Sequence, residues 1–547
     1  MKHVRWLRNI VSLILVSGLL LSACDTAADQ PKKVQTGSTS SEQLMSGTSS
    51  DHAGENAPVR GGSMNIALQD DPKVMNPLYA GDRVTLTLNQ SLYAPLFYMN
   101  SGKKTYALAE SAYSSKDYLT YIVKLRKGLT WHDGEAITAD DIVYTVEQIM
   151  DEQQNSPFRS QYVFDGKPVK AVKVNDLTVK FVLPSPSPSF EGALIDFYPI
   201  PQHVFQGEKN ILLSSKNDHP IGSGPFKFKE YTPGEEVILE RFEDYYGGAP
   251  YLDNITYQII LDPYVANQAL SEGEVQLSMV DIEDYETLND TGQFDLITYP
   301  EGRLQYMVFN MNIPKMKKRE VREAIAYALD KEELIRISYL SNEFADPASS
   351  ILTPDTLYHT SNVRTYDYNP EKSKKLLEQA NIKDMKIRLA FSAASKPQVN
   401  QALYIQQKLK AVGILVELKP MEAMVYDNRR LDINNTDFDL SLAGYIMGQE
   451  PTAYQSLYMS DGVYNYSRSH NKELDALWKQ ASVEVNQAVR QKLYVQIQQK
   501  IAKELSVWPI AYTKSVIAVS KGYGGLEQAI PEPVVLFRDL SKIYMIE

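Results

Sequence analysis

The sequence predicts an α/β protein of at least two domains with mixed sheets, and three observations carry that prediction. About 490 residues follow a polar N-terminal region, more than one hydrophobic core usually serves. Between residues 317 and 418 a helical pattern followed by a strand pattern recurs, the alternation of an α/β domain. The stretch 120–150 then sets a half-buried strand, a tight turn and a capped helix in immediate succession.

The N-terminus reads as an address. Lys2, Arg5 and Arg8 give it a basic start. Ile10 to Leu21 form an apolar run too short to cross a bilayer comfortably, but of the length of a signal-peptide core. Leu21-Ser22-Ala23-Cys24 resembles the cleavage box of bacterial lipoproteins. Residues 1–23 are therefore expected to leave as a signal peptide, and Cys24 to carry the lipid, palmitate included. Cys24 is the only cysteine, which excludes an internal disulfide and any zinc site built on several thiolates. Residues 24–60 contain almost no large apolar side chain and read as a lipidated, disordered tether. At ~5 to 6 Å times the square root of about 36 residues, it reaches on the order of 30 Å. The expected location is the extracytoplasmic face of the cell membrane.

The formal charge is −12, and the signal peptide would remove three basic residues from it. So acidic a chain is repelled by nucleic acid, and no Lys/Arg cluster is interleaved with aromatics, so nucleic acid is excluded as a partner. Tyrosine is abundant, 35 residues against 16 Phe. Its apolar face and polar tip suit a wet binding cleft as well as ordinary half-buried surface.

Along the folded part, Gly62 to Ala67 reads as an entering strand, and residues 81–95 as a helix approached through a loop. In the 120–150 stretch, Tyr121, Val123 and Leu125 alternate with Thr120, Lys124 and Arg126, broken only by Ile122. His132-Asp133-Gly134 forms a turn, and Thr138 is placed to cap the amide of Asp141 ahead of Ile142, Val146 and Ile149. Val172 to Leu183 is a hairpin turning at Asn175-Asp176, and PSPSPSF after it is a surface loop. Gly222-Ser223-Gly224 enters a strand, since neither a third glycine nor a P-loop lysine follows. Tyr306 to Asn312 reads as a short strand and Lys317 to Leu334 as one helix. Asn369 caps a helix beginning at Pro370, and Gln401 to Val412 is a helix stopped by Gly413, with a strand from Ile414 to Leu418. Val489, Leu493, Ile497 and Ile501 line the last long helix, which ends before Pro509, and strands and loops follow from Ile510.

Catalytic chemistry has little to stand on. HExxH, GxSxG and a Cys-His pair are absent, and the seven histidines are scattered. His132-Asp133 is the one His-carboxylate neighbour, but adjacent turn residues point apart. Asp140-Asp141 reads as charge at a helix N-terminus. No catalytic residue, metal or cofactor is expected.

WHDGEAITADDIVYTVEQI, IGSGPFKFKEY, REVREAIAYALDKEELI and QQKLKAVGILVELK, in this order, resemble the peptide-binding family of extracytoplasmic solute receptors, which serve ABC importers for oligopeptides, dipeptides and nickel. The resemblance runs from Gly62 to the C-terminus. It implies a two-lobed, periplasmic-binding-protein-like fold with mixed sheets, a hinge between the lobes and an extra subdomain inserted in the first. Lobe I would comprise residues 61–92, 220–305 and 510–547, the inserted subdomain 93–219, and lobe II 306–509. It further implies a monomer that captures oligopeptides and delivers them to permease subunits with a separate ATPase. Receptors of the family for nickel chelates, haem or sugars, and lipoproteins that capture peptide pheromones, remain open alternatives. By the same resemblance Asp82, Arg83, Asn310, Tyr445, Ile446, Met447, Gly448, Glu450 and Tyr466 face the ligand. Family members for short peptides carry Gly-Trp-x-x-Asp at the segment resembling Phe438 to Tyr454, the Asp pairing with the ligand's α-ammonium group. Here the corresponding residues are Gly444, Tyr445, Ile446, Met447 and Gly448, so that carboxylate is missing and Glu450 is the nearby substitute.

Overall fold

The computed structural model describes residues 57–547 apart from Ser101, Asp165 and Pro533. The expected signal peptide, Cys24 and all but the end of the tether lie outside the described residues. That end is not tether: Pro58 and Val59 pair antiparallel with Ile546 and Met545. No described helix is long and apolar enough to cross a membrane.

One mixed sheet of eleven strands runs through the molecule. On the lobe I side, Ser63–Leu68 lies parallel between Asn254–Ile259 and Leu277–Val280, with Glu236–Arg241 and Phe226–Thr232 outside them. Met64, Ile66 and Leu68 are buried there with Val237, Leu239 and Ile255. On the lobe II side come Leu440–Ile446, Met385–Ser392 and Ile414–Met421. Two long antiparallel strands, Phe294–Phe309 and Val507–Ser520, lie at the centre and join the halves. Their register shifts between Pro300 and Arg303 and again between Gln305 and Tyr306, so the ladder is interrupted where it passes from one lobe to the other. The borders expected at 305/306 and 509/510 therefore fall inside strands. The short strand expected at 306–312 is the end of this sixteen-residue strand, and Asn310 lies beyond it.

The inserted subdomain has its own four-stranded antiparallel sheet, ordered Ala109–Ser114, Thr120–Leu125, Thr178–Val182, Lys170–Asn175. Tyr121, Val123 and Leu125 point into its core together with Trp131 and Phe190. The helix Ala139–Met150 begins with a capping box: the Thr138 side chain accepts from the first-turn backbone, and the Thr138 amide donates to Asp141 Oδ2 at 2.8 Å.

The His-Asp-Gly turn ties this subdomain to lobe I. His132 Nδ1 accepts from the Gly222 amide at 3.1 Å, and Nε2 donates to Gly224 O at 3.1 Å. Ser223 N and Gly224 N both donate to Leu92 O, at 3.0 and 2.9 Å. A Cβ on Gly222 would lie 1.8 Å from Leu92 O, so the backbone approach itself demands glycine. The adjacent Asp133 turns away from His132 and pairs with His203 Nε2 at 2.8 Å.

In lobe II the single helix expected over 317–334 is three: Pro314–Lys317, Arg319–Tyr327 and Lys331–Tyr339. Asp330 breaks the last pair by capping the third, its carboxylate accepting from Glu333 N at 3.1 Å. The Asn369 cap on Pro370–Gln379 is present at 2.9 Å, and Gly413 adopts φ +87° after Lys396–Ala411. The last long helix is Gln487–Glu504, and the strand after it starts at Val507, with Pro509 opposite the register shift at Tyr306.

Candidate functional site

Where the central strands pass between the lobes, Glu301 sits in the bulge and gathers charge. Its carboxylate meets Arg83 Nη2 and Arg303 Nε, each at 3.4 Å, and accepts from Thr513 Oγ1 at 2.7 Å. Arg83 thus lies at the hinge, as the first residue of the helix Arg83–Leu92. Asp82 is the cap of that helix, accepting from the amide and the hydroxyl of Thr85, both at 3.0 Å. Its carboxylate is consumed locally.

The neighbouring strand Leu440–Ile446 carries the main feature. One edge pairs with the hinge strand from Leu440 to Ile446. The other edge pairs with Met385–Ser392 only at Leu440 and Ser441. Beyond them Leu442 and Ala443 are buried and the Tyr426 hydroxyl donates to Leu442 O, so among the described residues the accessible edge with no strand over it runs from Gly444 to Ile446. Met447 N donates to Gly302 O at 2.7 Å, which fixes the strand's end at the bulge. Gly448 is exposed; its amide donates to the Tyr454 hydroxyl, and its carbonyl accepts from Thr356 Oγ1 at 2.9 Å.

Tyrosines wall this open edge. Tyr445 packs edge-on against Tyr454 at 5.7 Å and tilted against Tyr464 at 6.5 Å, and Tyr464 meets Tyr466 at 6.4 Å. Arg430 lies between the rings of Tyr466 and Tyr426, 4.5 and 4.6 Å from their centroids. Burial raises the phenol pKa of Tyr445 and Tyr466 and pushes Tyr454 up to about 12, so each remains a neutral hydroxyl. Such a surface offers ring faces, hydroxyls and the strand edge from Gly444 to Ile446. No group of three or more metal-ligating side chains occurs among the described residues.

The residues expected at the ligand thus divide. Tyr445, Ile446, Gly448 and Tyr466 come together at the open edge, with Met447, 4% exposed, directly behind. Arg83 stands at the adjoining hinge and Asp82 serves its helix. Asn310 is a correction: it is 1% exposed, and its Nδ2 donates to Asn435 O and Phe438 O, both at 3.0 Å, so it holds a loop instead of a ligand. Glu450 is the second. Its carboxylate binds Arg490 Nη2 at 2.6 Å and Nη1 at 3.3 Å, and takes the amide and hydroxyl of Thr452. Burial works against the charge of Arg490, but Glu450 and Tyr494 hold its pKa above the usual value. Glu450 also faces the inserted subdomain, since a Cβ on Gly192 would lie 3.0 Å from its own Cβ. Sequence reasoning missed Tyr464, although the alternation Tyr464-Asn465-Tyr466 offered it, and it missed Glu301 and Arg303, which flank Gly302 within the long strand.

The pattern defining the bacterial extracellular solute-binding proteins, family 5 (middle region), matches residues 104–467. The oligopeptide-binding protein AppA of Bacillus subtilis is 28% identical over 560 aligned positions, covering 96% of this chain and 96% of that protein. Among solved structures, the ABC transporter substrate-binding protein CtaP from Listeria monocytogenes superposes with a TM-score of 0.87 at 49% identity, over 89% of this chain and 100% of that one. AppA of Bacillus subtilis in complex with a nonapeptide gives 0.71 at 26% identity, over 90% of this chain and 100% of that one.

Proposed function

The chain belongs to family 5 of the bacterial extracellular solute-binding proteins, and from that membership we propose that it captures oligopeptides and delivers them to an ABC importer. One observation carries the peptide reading: the strand Leu440–Ile446 leaves an edge unpaired beside a wall of tyrosines. An extended peptide can complete such an edge with main-chain hydrogen bonds, while its side chains lie against ring faces and water. That mode depends little on peptide sequence. The two crossing strands with their bulge let the lobes close on the ligand as rigid bodies. The closed form would present itself to the permease, whose ATPase supplies the energy. The protein acts as a binding protein and a monomer, anchored through Cys24 on the extracytoplasmic face.

Mass spectrometry of ligands released from protein purified from its own host tests the reading, followed by calorimetry on the peptides recovered. Peptides of mixed sequence are expected, with Tyr445→Ala weakening them about tenfold. Recovery of a metal chelate, haem or sugar in their place would overturn it.

A further inference from the structure

Through His132 and the backbone of Gly222 and Gly224 the inserted subdomain is fastened to lobe I, so it moves with that lobe. Its 3₁₀ turn Pro188–Ala193 nevertheless packs on the helix Lys472–Val483 of lobe II. Within that turn Gly192 lies over Glu450: a Cβ added there would stand 3.0 Å from Glu450 Cβ and 3.2 Å from its Cγ. So close an approach leaves no room for a side chain at 192. The backbone gives no other reason for a glycine, since Gly192 is not among the residues with positive φ.

Both faces of this contact are prepared for it. Glu450 is held in place by Arg490 and Thr452. Glu191, the neighbour of Gly192, pairs with Lys104 of its own subdomain. Each carboxylate therefore has its charge met on its own side, and neither needs a partner from across the contact. Burial raises the pKa of the Tyr121 phenol in the subdomain, with Glu191 and, from lobe II, Glu450 adding to the shift, so the two sides feel one another's charge. Glu450 stands two residues beyond Gly448, on the segment that leaves the open strand edge.

We propose that the inserted subdomain is a jaw that shuts on lobe II over the bound solute, and that Gly192 is the positioning residue that sets how far it shuts. This role rests on the lobe closure proposed above and is the same for any solute held beside Gly448. A side chain at 192 would prop the jaw open and weaken binding. The open protein, in which the contact is unmade, would keep its stability.

The test is calorimetry and small-angle scattering on the mature protein, with a hexapeptide of alternating serine and alanine as probe, beside chemical denaturation without it. Wild type should bind the hexapeptide and contract. Gly192→Leu should bind it at least tenfold more weakly and contract less, with its denaturation midpoint in the absence of probe unchanged. Gly192→Ala, whose one methyl asks Glu450 to yield by a few tenths of an ångström, should fall between the two and serves if the larger variant folds poorly. Equal affinity and equal contraction in wild type and variants would overturn the jaw. So would a variant destabilised without probe by as much as it loses in affinity, because the contact would then be a fixed interface. A wild type that ignores the hexapeptide counts instead against the peptide reading; the solute recovered from the host then replaces it as probe, and the same comparison decides.

Discussion

Acidification should loosen the joint between the inserted subdomain and lobe I through one ring. His132 Nδ1 accepts from Gly222 N while Nε2 donates to Gly224 O, so the neutral tautomer satisfies both ends. A proton on Nδ1 would face the Gly222 amide, donor against donor. Burial also pushes the His132 pKa down, to about 4. The unfolded chain takes up this proton near pH 6.5, so between about 6.5 and 4 the unfolded state binds more protons and stability falls as pH falls. Fully expressed, the displacement is worth about 3 kcal/mol, of which about 2 kcal/mol is lost between about pH 7 and pH 5.

Buried Asp141, whose pKa is raised by desolvation, changes stability in the opposite sense, so wild type alone does not isolate the ring. His132→Asn does: its side chain can still accept from Gly222 but cannot titrate. At about pH 7 the variant should be less stable by ~1 to 3 kcal/mol, the lost bond to Gly224 and the edge contact with Phe242 at 5.0 Å. At about pH 5 that gap should narrow by about 2 kcal/mol in chemical denaturation. Ring-carbon NMR shifts, assigned by difference from the variant, should show a midpoint near 4. A gap that does not change with pH, or a midpoint near the ordinary 6.5, would refute the reasoning.

Other tests bear on the ligand and the address. Acetylating the N-terminus of a good peptide ligand should weaken binding less than about tenfold by calorimetry, because Gly448 offers no carboxylate and Glu450 is committed to Arg490. Glu450→Gln should cost ~3 to 5 kcal/mol in stability by leaving Arg490 buried without its partner, yet change peptide affinity by less than about threefold; a larger affinity loss would make Glu450 the anchor. Small-angle scattering should record a smaller radius of gyration at saturating peptide, and an unchanged value would count against lobe closure. Globomycin, which blocks lipoprotein signal peptidase, should make a precursor retaining residues 1–23 accumulate; normal processing and full membrane attachment of Cys24→Ala would show the anchor to lie elsewhere.

The features that were legible beforehand are those whose chemistry closes within one turn of chain. Thr138 with Asp141, Asn369 with Pro370, and the left-handed Gly413 each declare a helix end through neighbours a few residues away. The crossing strands were hidden because Pro300, Gly302 and Pro509 look like breakers locally. Only the partner strand, some two hundred residues distant, shows that a bulge absorbs them. The resemblance placed Tyr445 and Tyr466 at one surface, and the ring that joins them, Tyr464, was signalled only by its alternation with Tyr466. Asn310 misled for the converse reason: a polar residue beside an expected cleft can spend its side-chain hydrogen bonds on a neighbouring loop.

Glu450 misled in a way that bears on mechanism. Position 450 offers a carboxylate near the expected amine site, and nothing in its local sequence signals that Arg490, forty residues on and 4% exposed, already holds it. For Glu450 to swing onto a ligand ammonium it would have to abandon that guanidinium, at ~3 to 5 kcal/mol. The new ion pair would return ~2 to 5 kcal/mol, about what was lost, so the exchange brings little net gain. On the peptide reading proposed above, the first residue of the ligand would be positioned by a backbone ladder along Gly444 to Ile446, and a ladder repeats every two residues without marking an end. A receptor built this way would select for an extended chain long enough to fill the edge, and would leave the peptide's N-terminus free to run past Gly448, which the acetylation experiment above tests.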